Sequence, residues 1–347
     1  MLKSNSRWLG LSFRLGAILL SLVFTAVVIL LSKANPFDVF GNIINGAFGS
    51  VDNIANVIVA WMPLLLVSSG LLVTFAAGLW NIGIEGQITL GAIFTTFILR
   101  TFQDSNVSPA IILIFGILAG IIGGALWAAL AGTLKIYGGV SEIFGGLGLN
   151  FIATAITLWL IFGPWKRPGI ASMSGTQPFP DALSLPVIAE LRLSIWTIII
   201  GVAGIVLVYI LLNGTYFGLR LKAVGKNMRS AFLLGIPTNR YMMLSFLICG
   251  AFAGVAGALQ VEAVYHRLIP SISSGYGFLG LLVAMLVNYQ AFWVAPVALF
   301  FAILNIGSIQ LPIVLKLDSS LGGVLQEALV LFVVMIEGVR RRLVKKE

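Results

Sequence analysis

Long apolar segments separated by short polar ones run along the whole chain. A helix needs about 20 predominantly apolar residues to cross the hydrocarbon core of a bilayer. Ten segments have this character, at residues 13–31, 54–77, 85–101, 109–134, 143–163, 194–212, 241–262, 276–290, 292–309 and 320–338. The pattern predicts an all-α polytopic membrane protein with about ten transmembrane helices, in a single transmembrane domain over residues 1–347.

The composition supports this class and excludes others. Of the residues, 59% are hydrophobic and only 10% are charged. Soluble globular domains carry roughly 25% charged residues, so that class is excluded. With one histidine and one cysteine, the chain can form no internal disulfide, and a histidine-based metal site is not expected.

The Lys and Arg residues predict the orientation. With the N-terminus inside, about two thirds of the 21 basic residues fall on the cytoplasmic side, in agreement with the positive-inside rule. We therefore expect both termini in the cytoplasm. The net charge of +9 follows from these loops and does not indicate a nucleic-acid partner. The basic N-terminal segment and its long apolar run, without a small-residue cleavage site, predict a retained span or signal anchor.

Glycine and alanine recur at close spacing within residues 116–132 and 250–259. In a bilayer, small residues allow the backbones of two helices to approach closely. These two tracts are therefore predicted to be helix-packing faces.

Three polar residues interrupt the apolar pattern in the stretch GLWNIGIEGQ, residues 78–87. They are Asn81, Glu85 and Gln87. An ionisable group inside a membrane is costly and usually faces protein or a water-filled cavity. The glycines of the stretch permit an irregular backbone, which a bilayer tolerates only where its polar groups are satisfied. Either a hydrogen-bonded hub between helix ends or part of a solute pathway would fit.

No catalytic motif is present in the sequence. The phosphate-binding pattern G-x-x-x-x-G-K-[ST], the zinc motif H-E-x-x-H and paired cysteines are all absent. We therefore expect neither an enzymatic role nor a cofactor in this chain. If transport consumes ATP, the nucleotide and its Mg²⁺ would bind to another subunit.

The segment 213–240 is basic and is predicted to be helical between Gly214 and Pro237 on the cytoplasmic side. A basic amphipathic helix can lie on the anionic inner leaflet. The alternative is a short helix of fixed length, bounded by glycine and proline, that docks in a groove on a soluble partner.

Two motifs resemble the permease subunit of bacterial ABC importers. They are GLWNIGIEGQITLGA (78–92) and GLRLKAVGKNMRSAFLLGIPTNRYMMLSFLICGAFAGVAGAL (218–259), and weaker matches extend over nearly the whole chain. The resemblance is to the branch that serves branched-chain amino acids, ribose-type sugars and nucleosides. It is closest to the nucleoside or "simple sugar" subgroup, whose binding protein is a lipoprotein of the basic-membrane-protein type. Two features depart from the family pattern: Met228, where proline is common, and Leu286-Val287-Asn288, where a Leu-Gly-basic sequence is common.

The resemblance implies a cytoplasmic coupling helix over about 218–236 that docks on an ABC ATPase subunit. The implied docking residues are Ala223, Gly225, Asn227, Ala231 and Gly235, with Arg220 and Lys222 meeting acidic rims. It also implies alternating access driven by that ATPase in the bacterial inner membrane. The implied partners are a second, paralogous permease (or a second copy of this chain), the substrate-binding lipoprotein and membrane lipid.

The expected substrate is a nucleoside or a related small polar solute. Neutral polar side chains suit such a solute, and those expected near its pathway are Asn81, Glu85, Gln87, Asn150 and Gln260. A ribose-type sugar is the alternative within the same class. Two rivals come from other classes, namely a secondary transporter coupled to protons through Glu85 and a scaffold without a pathway.

Overall fold

The structure, a computed structural model, describes residues 19–169, 175–188, 193–287, 290–318 and 320–344, together with Gly16 and Leu191. Asn288 and parts of the predicted segments 13–31 and 276–290 lie outside these ranges. The described residues are mostly helical. In chain order the helices are α1 Leu19–Leu31, α2 Pro36–Phe48, α3 Val51–Ala76, α4 Ile84–Phe102, α5 Pro109–Ile136, α6 Glu142–Phe162, α7 Ile195–Gly214, α8 Tyr216–Lys226, α9 Met228–Leu233, α10 Thr238–Leu259, α11 Tyr276–Leu286, α12 Val294–Ser308, α13 Leu311–Val314 and α14 Ser320–Val344.

Six helical segments of the described chain are long and apolar enough to cross a membrane. They are Val51–Ala76, Pro109–Ile136, Glu142–Phe162, Ile195–Gly214, Thr238–Tyr265 and Ala291–Val314. The pair α1 and α2 is a seventh candidate, bent by 106° at the break between the two helices. The structure thus confirms a helical protein with several candidate spans. Ten crossings and cytoplasmic termini stay predictions.

The chain divides into two compact units, one comprising residues 1–57 and 299–347 and the other residues 58–298. The first has its own apolar core of six buried side chains, Ile29, Val39, Ile43, Leu311, Leu321 and Leu325. Within it, a Cβ added to Gly46 would lie 2.7 Å from the carbonyl oxygen of Gly307, so α2 and α12 need glycine there. The single transmembrane domain stays a prediction.

The larger unit is built around α4, α5 and α10, which pack against one another. Glycines make the approach possible, as the two small-residue tracts predicted. A Cβ added to Gly91 would lie 2.7 Å from the carbonyl oxygen of Gly254, and one added to Gly124 would lie 2.7 Å from the Cα of Gly254. Side chains at these points would force the helices apart, so glycine is a packing requirement here.

Two helices of this unit contain irregular points. Pro63 lies inside α3 and has no N–H to donate to the helix. The last turn of α10 continues as a π-helical turn over Gln260–Tyr265, and His266 ends it in the left-handed conformation, with φ of 52°. Such π turns are rare and leave the regular hydrogen-bond pattern of the α-helix.

The segment 175–188 lies over the π turn and the loop that follows it. The backbone N–H of Leu185 donates to the carbonyl of Glu262 at 2.9 Å, and that of Phe179 donates to the carbonyl of His266 at 2.8 Å. Burial lowers the pKa of His266, while the nearby Asp181 carboxylate opposes this shift. The segment ends in strand β1 (Val187–Ile188), which pairs antiparallel with β2 (Leu193–Ser194) just before α7.

The helix predicted over about 218–236 is two helices, so the prediction of one continuous helix is wrong, and its cytoplasmic location stays a prediction. The backbone of Asn227 is extended, with φ of −159° and ψ of 102°. Its side chain accepts a hydrogen bond from the backbone N–H of Ser230 at 2.9 Å and so begins α9. Asparagine is among the preferred residues at this position because its side chain satisfies an otherwise free N–H. Gly235, with φ of 80°, follows the end of α9.

Candidate functional site

The chain breaks between α3 and α4, within the stretch 78–87. Helix α3 ends at Ala76, and Gly78 takes the left-handed conformation, with φ of 75°. A residue with a Cβ adopts this conformation only with strain, so glycine is needed at this point. The backbone N–H of Leu79 donates back to the carbonyl of Thr74 at 3.0 Å, which closes the turn before α4 begins at Ile84.

Asn81 and Gln87 satisfy each other across the break. The Nδ2 of Asn81 donates to the Oε1 of Gln87 at 3.0 Å, and the Nε2 of Gln87 donates to the Oδ1 of Asn81 at 2.9 Å. The same Nδ2 also donates to the Sγ of Cys249 on α10, at 3.1 Å. Only 1% of Asn81 and 0% of Gln87 is exposed. The pair therefore lies inside the protein with its amide groups matched.

The carboxylate of Glu85 binds the N-terminus of α11. Its Oε1 accepts hydrogen bonds from the backbone N–H groups of Gly277 at 2.8 Å and Phe278 at 3.1 Å. The side chain of Ser273 also interacts with the carboxylate. The first N–H groups of a helix have no partner within it and carry a partial positive charge. A buried carboxylate therefore fits this position, and it joins α4 to α11.

Asn150 joins the break to α6. Its Oδ1 accepts from the backbone N–H of Gly86 at 2.8 Å, and its Nδ2 donates to the carbonyl of Ile82 at 2.9 Å. Beside it, a Cβ added to Gly83 would lie 3.2 Å from the Cα of Gly146, so the two helices meet closely here. One amide thus satisfies the Ile82 carbonyl of the break and an N–H in the first turn of α4.

We call Asn81, Glu85, Gln87 and Asn150 the break cluster. Each of the four uses its polar atoms on groups of the protein itself, as a hydrogen-bonded hub requires. Their predicted place in a solute pathway stays a prediction. The fifth predicted residue, Gln260, lies elsewhere, at the start of the π turn. In the described part of the chain no hydrogen bond joins Gln260 to the other four.

Sequence reasoning missed the partners of the break cluster. The Glu85 carboxylate and the Gly277 N–H that donates to it on α11 are separated by 192 residues. A Cβ added to Gly277 would lie 2.9 Å from the Cγ of Glu85, so that glycine is required by the close approach. The stretch GYGF at 275–278 is the sequence signal that could have pointed to it.

The end of α8 packs directly on the break. A Cβ added to Gly225 would contact the carbonyl oxygen of Ala76 and lie 2.9 Å from the backbone nitrogen of Gly78. Conversely, a Cβ added to Gly78 would lie 3.2 Å from the carbonyl oxygen of Gly225. The two glycines had separate roles in the sequence prediction, and the structure brings them together.

The predicted docking residues differ in their surroundings. Ala231 is buried within the chain, at 2% exposure, and Gly225 faces the break. Arg220 donates to the hydroxyl of Tyr241 at 3.3 Å, which raises the pKa of the guanidinium, and Lys222 donates to the Oδ1 of Asn213 at 2.9 Å. Ala223 is half-buried, whereas Gly225, Asn227 and Gly235 are exposed.

An apolar ridge lies beside these residues, within the short helix that the sequence predicted to dock on a soluble partner. It consists of Phe232, Leu233 and Leu234, of which 66%, 78% and 80% is exposed. Two exposed basic residues, Lys226 and Arg229, precede the ridge in the chain. Three consecutive large apolar side chains next to basic ones form a surface suited to a partner or a lipid headgroup region.

These helices and the buried polar cluster define a polytopic helical membrane protein. A family model described as "Branched-chain amino acid transport system / permease component" matches residues 53–335. The chain belongs to this permease family, whose members are transport components. The resemblance stated from the motifs is thereby confirmed.

Three relatives illustrate the family. The chain is 28% identical to the glucose ABC transporter permease protein TsgB13 of Haloferax volcanii, over 96% of this chain and 90% of the relative. It is 29% identical to the guanosine ABC transporter permease protein NupP of Bacillus subtilis, over 93% of each. It is 26% identical to NupQ, a second guanosine permease protein of that organism, over 69% of this chain and 76% of the relative. As a permease of this family, the chain is a subunit of an ABC importer.

Proposed function

We propose that this permease forms the translocation path for a nucleoside or a related small polar solute such as a sugar, in the bacterial inner membrane. The names of relatives similar over most of the chain, which mention guanosine and glucose, support this substrate class. Both are neutral solutes rich in hydrogen-bonding groups. A substrate-binding lipoprotein would deliver the solute to the outer side.

The observation that carries the mechanism is the contact between α8 and the break. ATP and Mg²⁺ would bind to a separate ATPase subunit, which would hold the surface formed by α8 and α9. The exposed apolar ridge 232–234 and the basic Lys226 and Arg229 suit a groove with an acidic rim. Any displacement of α8 would act on Gly78 through Gly225, because no side chain separates their backbones.

The break cluster would carry that displacement further into the unit. Gly78 begins the turn that leads to Asn81 and Glu85. Glu85 in turn binds the N-terminus of α11, and Asn150, on α6, binds the carbonyl of Ile82 in the break. A movement of the docked segment would therefore shift α6 and α11 together, which is the kind of coupled motion that alternating access requires.

A second, paralogous permease would complete the transporter, with a pair of identical chains as the alternative. Two guanosine permease proteins from Bacillus subtilis, NupP and NupQ, are both similar to this chain, which supports a pair of different permeases.

The function can be tested by reconstitution. The chain, its partner permease and the ATPase encoded beside them are placed in proteoliposomes with the binding lipoprotein, and uptake of radiolabelled guanosine and glucose is measured with and without ATP. We expect ATP-dependent uptake of one of these solutes. Failure of the ATPase to copurify would contradict the proposal.

A variant of the ridge tests the docking step. Leu233→Asp places a charge in the apolar ridge, and we expect it to abolish copurification with the ATPase. Asn239→Asp is the matched control, since it adds the same charge at an exposed position six residues further along the chain. Equal ATPase recovery with both variants would place the docking surface elsewhere.

The proton-coupled rival predicts that a proton gradient, and not ATP hydrolysis, drives uptake. The Oε1 of Glu85 already accepts from two backbone N–H groups, which makes it a poor proton carrier in this conformation. Uptake that an uncoupler abolishes while internal ATP stays high would favour the rival.

A further inference from the structure

The two irregular points of α3 and α10 meet at one small cavity. Its walls include Val59 and Pro63 from α3, Ser194 at the start of α7, and Gln260 and Ala263 from the π turn. The cavity has a volume of about 10 Å³, which is close to the minimum that holds one water molecule. It is far too small for a nucleoside or a sugar. We call it the pivot cavity.

Two side chains on its wall have polar atoms without a partner. In the described part of the chain, neither the Oγ of Ser194 nor the Nε2 of Gln260 has a hydrogen bond of normal length and angle. Only 2% of Ser194 and 1% of Gln260 is exposed. The Tyr276 hydroxyl lies near the Gln260 side chain but forms no hydrogen bond of normal length and angle with its Nε2. Leaving a buried donor unpaired costs about 1–3 kcal/mol, so both atoms need a partner.

The cavity wall also includes a residue whose carbonyl lacks its usual helical donor. In an α-helix the carbonyl of residue 59 accepts from the N–H of residue 63. Residue 63 is a proline, which has no N–H. Val59 and Pro63 both line the cavity, so this carbonyl belongs to a residue of the same wall as the two unpaired side chains.

The set of groups matches the hydrogen-bonding capacity of one water molecule. The amide nitrogen of Gln260 is a donor, the carbonyl of Val59 is an acceptor, and the hydroxyl of Ser194 can act as either. Buried waters typically make about three hydrogen bonds to protein groups that have no other partner. A cavity of the same size lined only by apolar groups would be expected to stay dry.

We propose that the pivot cavity binds one ordered water molecule, which bridges the Val59 carbonyl, the Ser194 hydroxyl and the Gln260 amide. The water links three helices at the points where α3 and α10 depart from regular geometry and where α7 begins. It satisfies groups that no side chain of the described wall reaches. The inference does not depend on the solute or on the ATPase.

The direct test is a structure of the full-length permease in its transporter, by cryo-electron microscopy at a resolution that shows ordered waters. We expect density for one water within about 2.7–3.2 Å of the Gln260 Nε2, the Ser194 Oγ and the Val59 oxygen. A cavity without density in the unaltered protein, where other buried waters are visible, would overturn the proposal.

A double-mutant cycle tests whether Ser194 and Gln260 share a partner. The thermal midpoint of the purified permease is measured for Ser194→Ala, for Gln260→Met and for both together. Because both residues bind one water, the loss in the double variant should be smaller than the sum of the single losses.

Ser245→Ala combined with Gln260→Met is the matched control. Ser245 is equally buried, but its hydroxyl donates to the carbonyl of Met242 in its own helix at 2.7 Å. Its effect should add to that of Gln260→Met. Additive losses in both pairs would contradict a shared water. If a variant does not fold, the test rests on the density in the unaltered protein.

Discussion

Gln87 and Gln260 are both glutamines buried beside an irregular point of a helix, and their surroundings are opposite. Gln87 lies in the break cluster, where both of its amide atoms are paired with those of Asn81. Gln260 lies on the wall of the pivot cavity, where its amide nitrogen lacks a protein partner of good geometry among the described residues. Neither is exposed by more than 1%. Burial alone therefore does not distinguish a closed polar hub from a site that needs a further molecule.

The difference teaches how a helical membrane protein tolerates polar groups at depth. In the break cluster the protein supplies every partner, so the cluster acts as a fixed joint between α4, α6, α10 and α11. In the pivot cavity the proline and the π turn leave groups for which we propose one ordered water as the partner. Changes in the first region should therefore cost more than changes in the second.

The largest effect is expected from Glu85→Leu. The change leaves two N–H groups of α11 buried without an acceptor, at about 1–3 kcal/mol each. We expect loss of uptake and a strongly lowered thermal midpoint. Glu85→Gln keeps an acceptor oxygen at the same place and should be milder in both measurements. Equal loss of uptake with Gln and Leu, at normal expression, would instead indicate that the carboxyl proton matters.

Gly225→Ala should have the next largest effect. Its Cβ would contact the Ala76 carbonyl oxygen and lie 2.9 Å from the Gly78 nitrogen. Overpacking of this kind costs about 1–3 kcal/mol, and we expect lower ATP-driven uptake in proteoliposomes. Gly148→Ala is the control, because nothing lies within 4 Å of its added Cβ. If both variants transport equally well, α8 and the break are not coupled.

Asn81→Ala should cost less than the loss of Glu85, since it removes one half of a neutral amide pair. Its partner Gln87 is left buried without its two hydrogen bonds, which costs about 1–3 kcal/mol. The thermal midpoint should therefore fall. Adding Gln87→Ala should lower it by less than Gln87→Ala does alone; a simple sum would mean that the two amides act independently.

Ser194→Ala should have the smallest effect, about 1 kcal/mol or less in folding free energy, because the water keeps its other two partners. The measurement is the fall in thermal midpoint of Ser194→Ala, compared with the fall of Asn81→Ala. A fall as large as that of Asn81→Ala would remove the distinction between the two regions.

Much of the fold could be predicted from the sequence because lipid imposes a simple rule. Apolar segments of spanning length become helices, and small-residue tracts such as 116–132 become packing faces, as Gly124 and Gly254 demonstrate. The break at Gly78 was also predictable, since polar residues and glycines coincide there. These features are local, and local sequence is sufficient for them.

The remaining features depend on contacts between distant residues or on a choice between similar local structures. The stretch GYGF marks Gly277 as unusual, but no local pattern pairs it with Glu85 or pairs Gly225 with Gly78. The predicted continuous helix over 218–236 was wrong because Asn227 begins a second helix, although its preference for that position was a usable signal. Gln260 was grouped with Asn81 by residue type, which does not specify position in space.

The bond between Glu85 and α11 has a consequence for biosynthesis. The acceptor and its N–H donors are separated by 192 residues, and chains grow at about 5–20 residues per second, so on the order of 10–40 s pass between their synthesis. Throughout that interval the carboxylate of the newly inserted α4 has no helix terminus to bind. The bond that joins α4 to α11 can therefore form only after residue 277 has been synthesised.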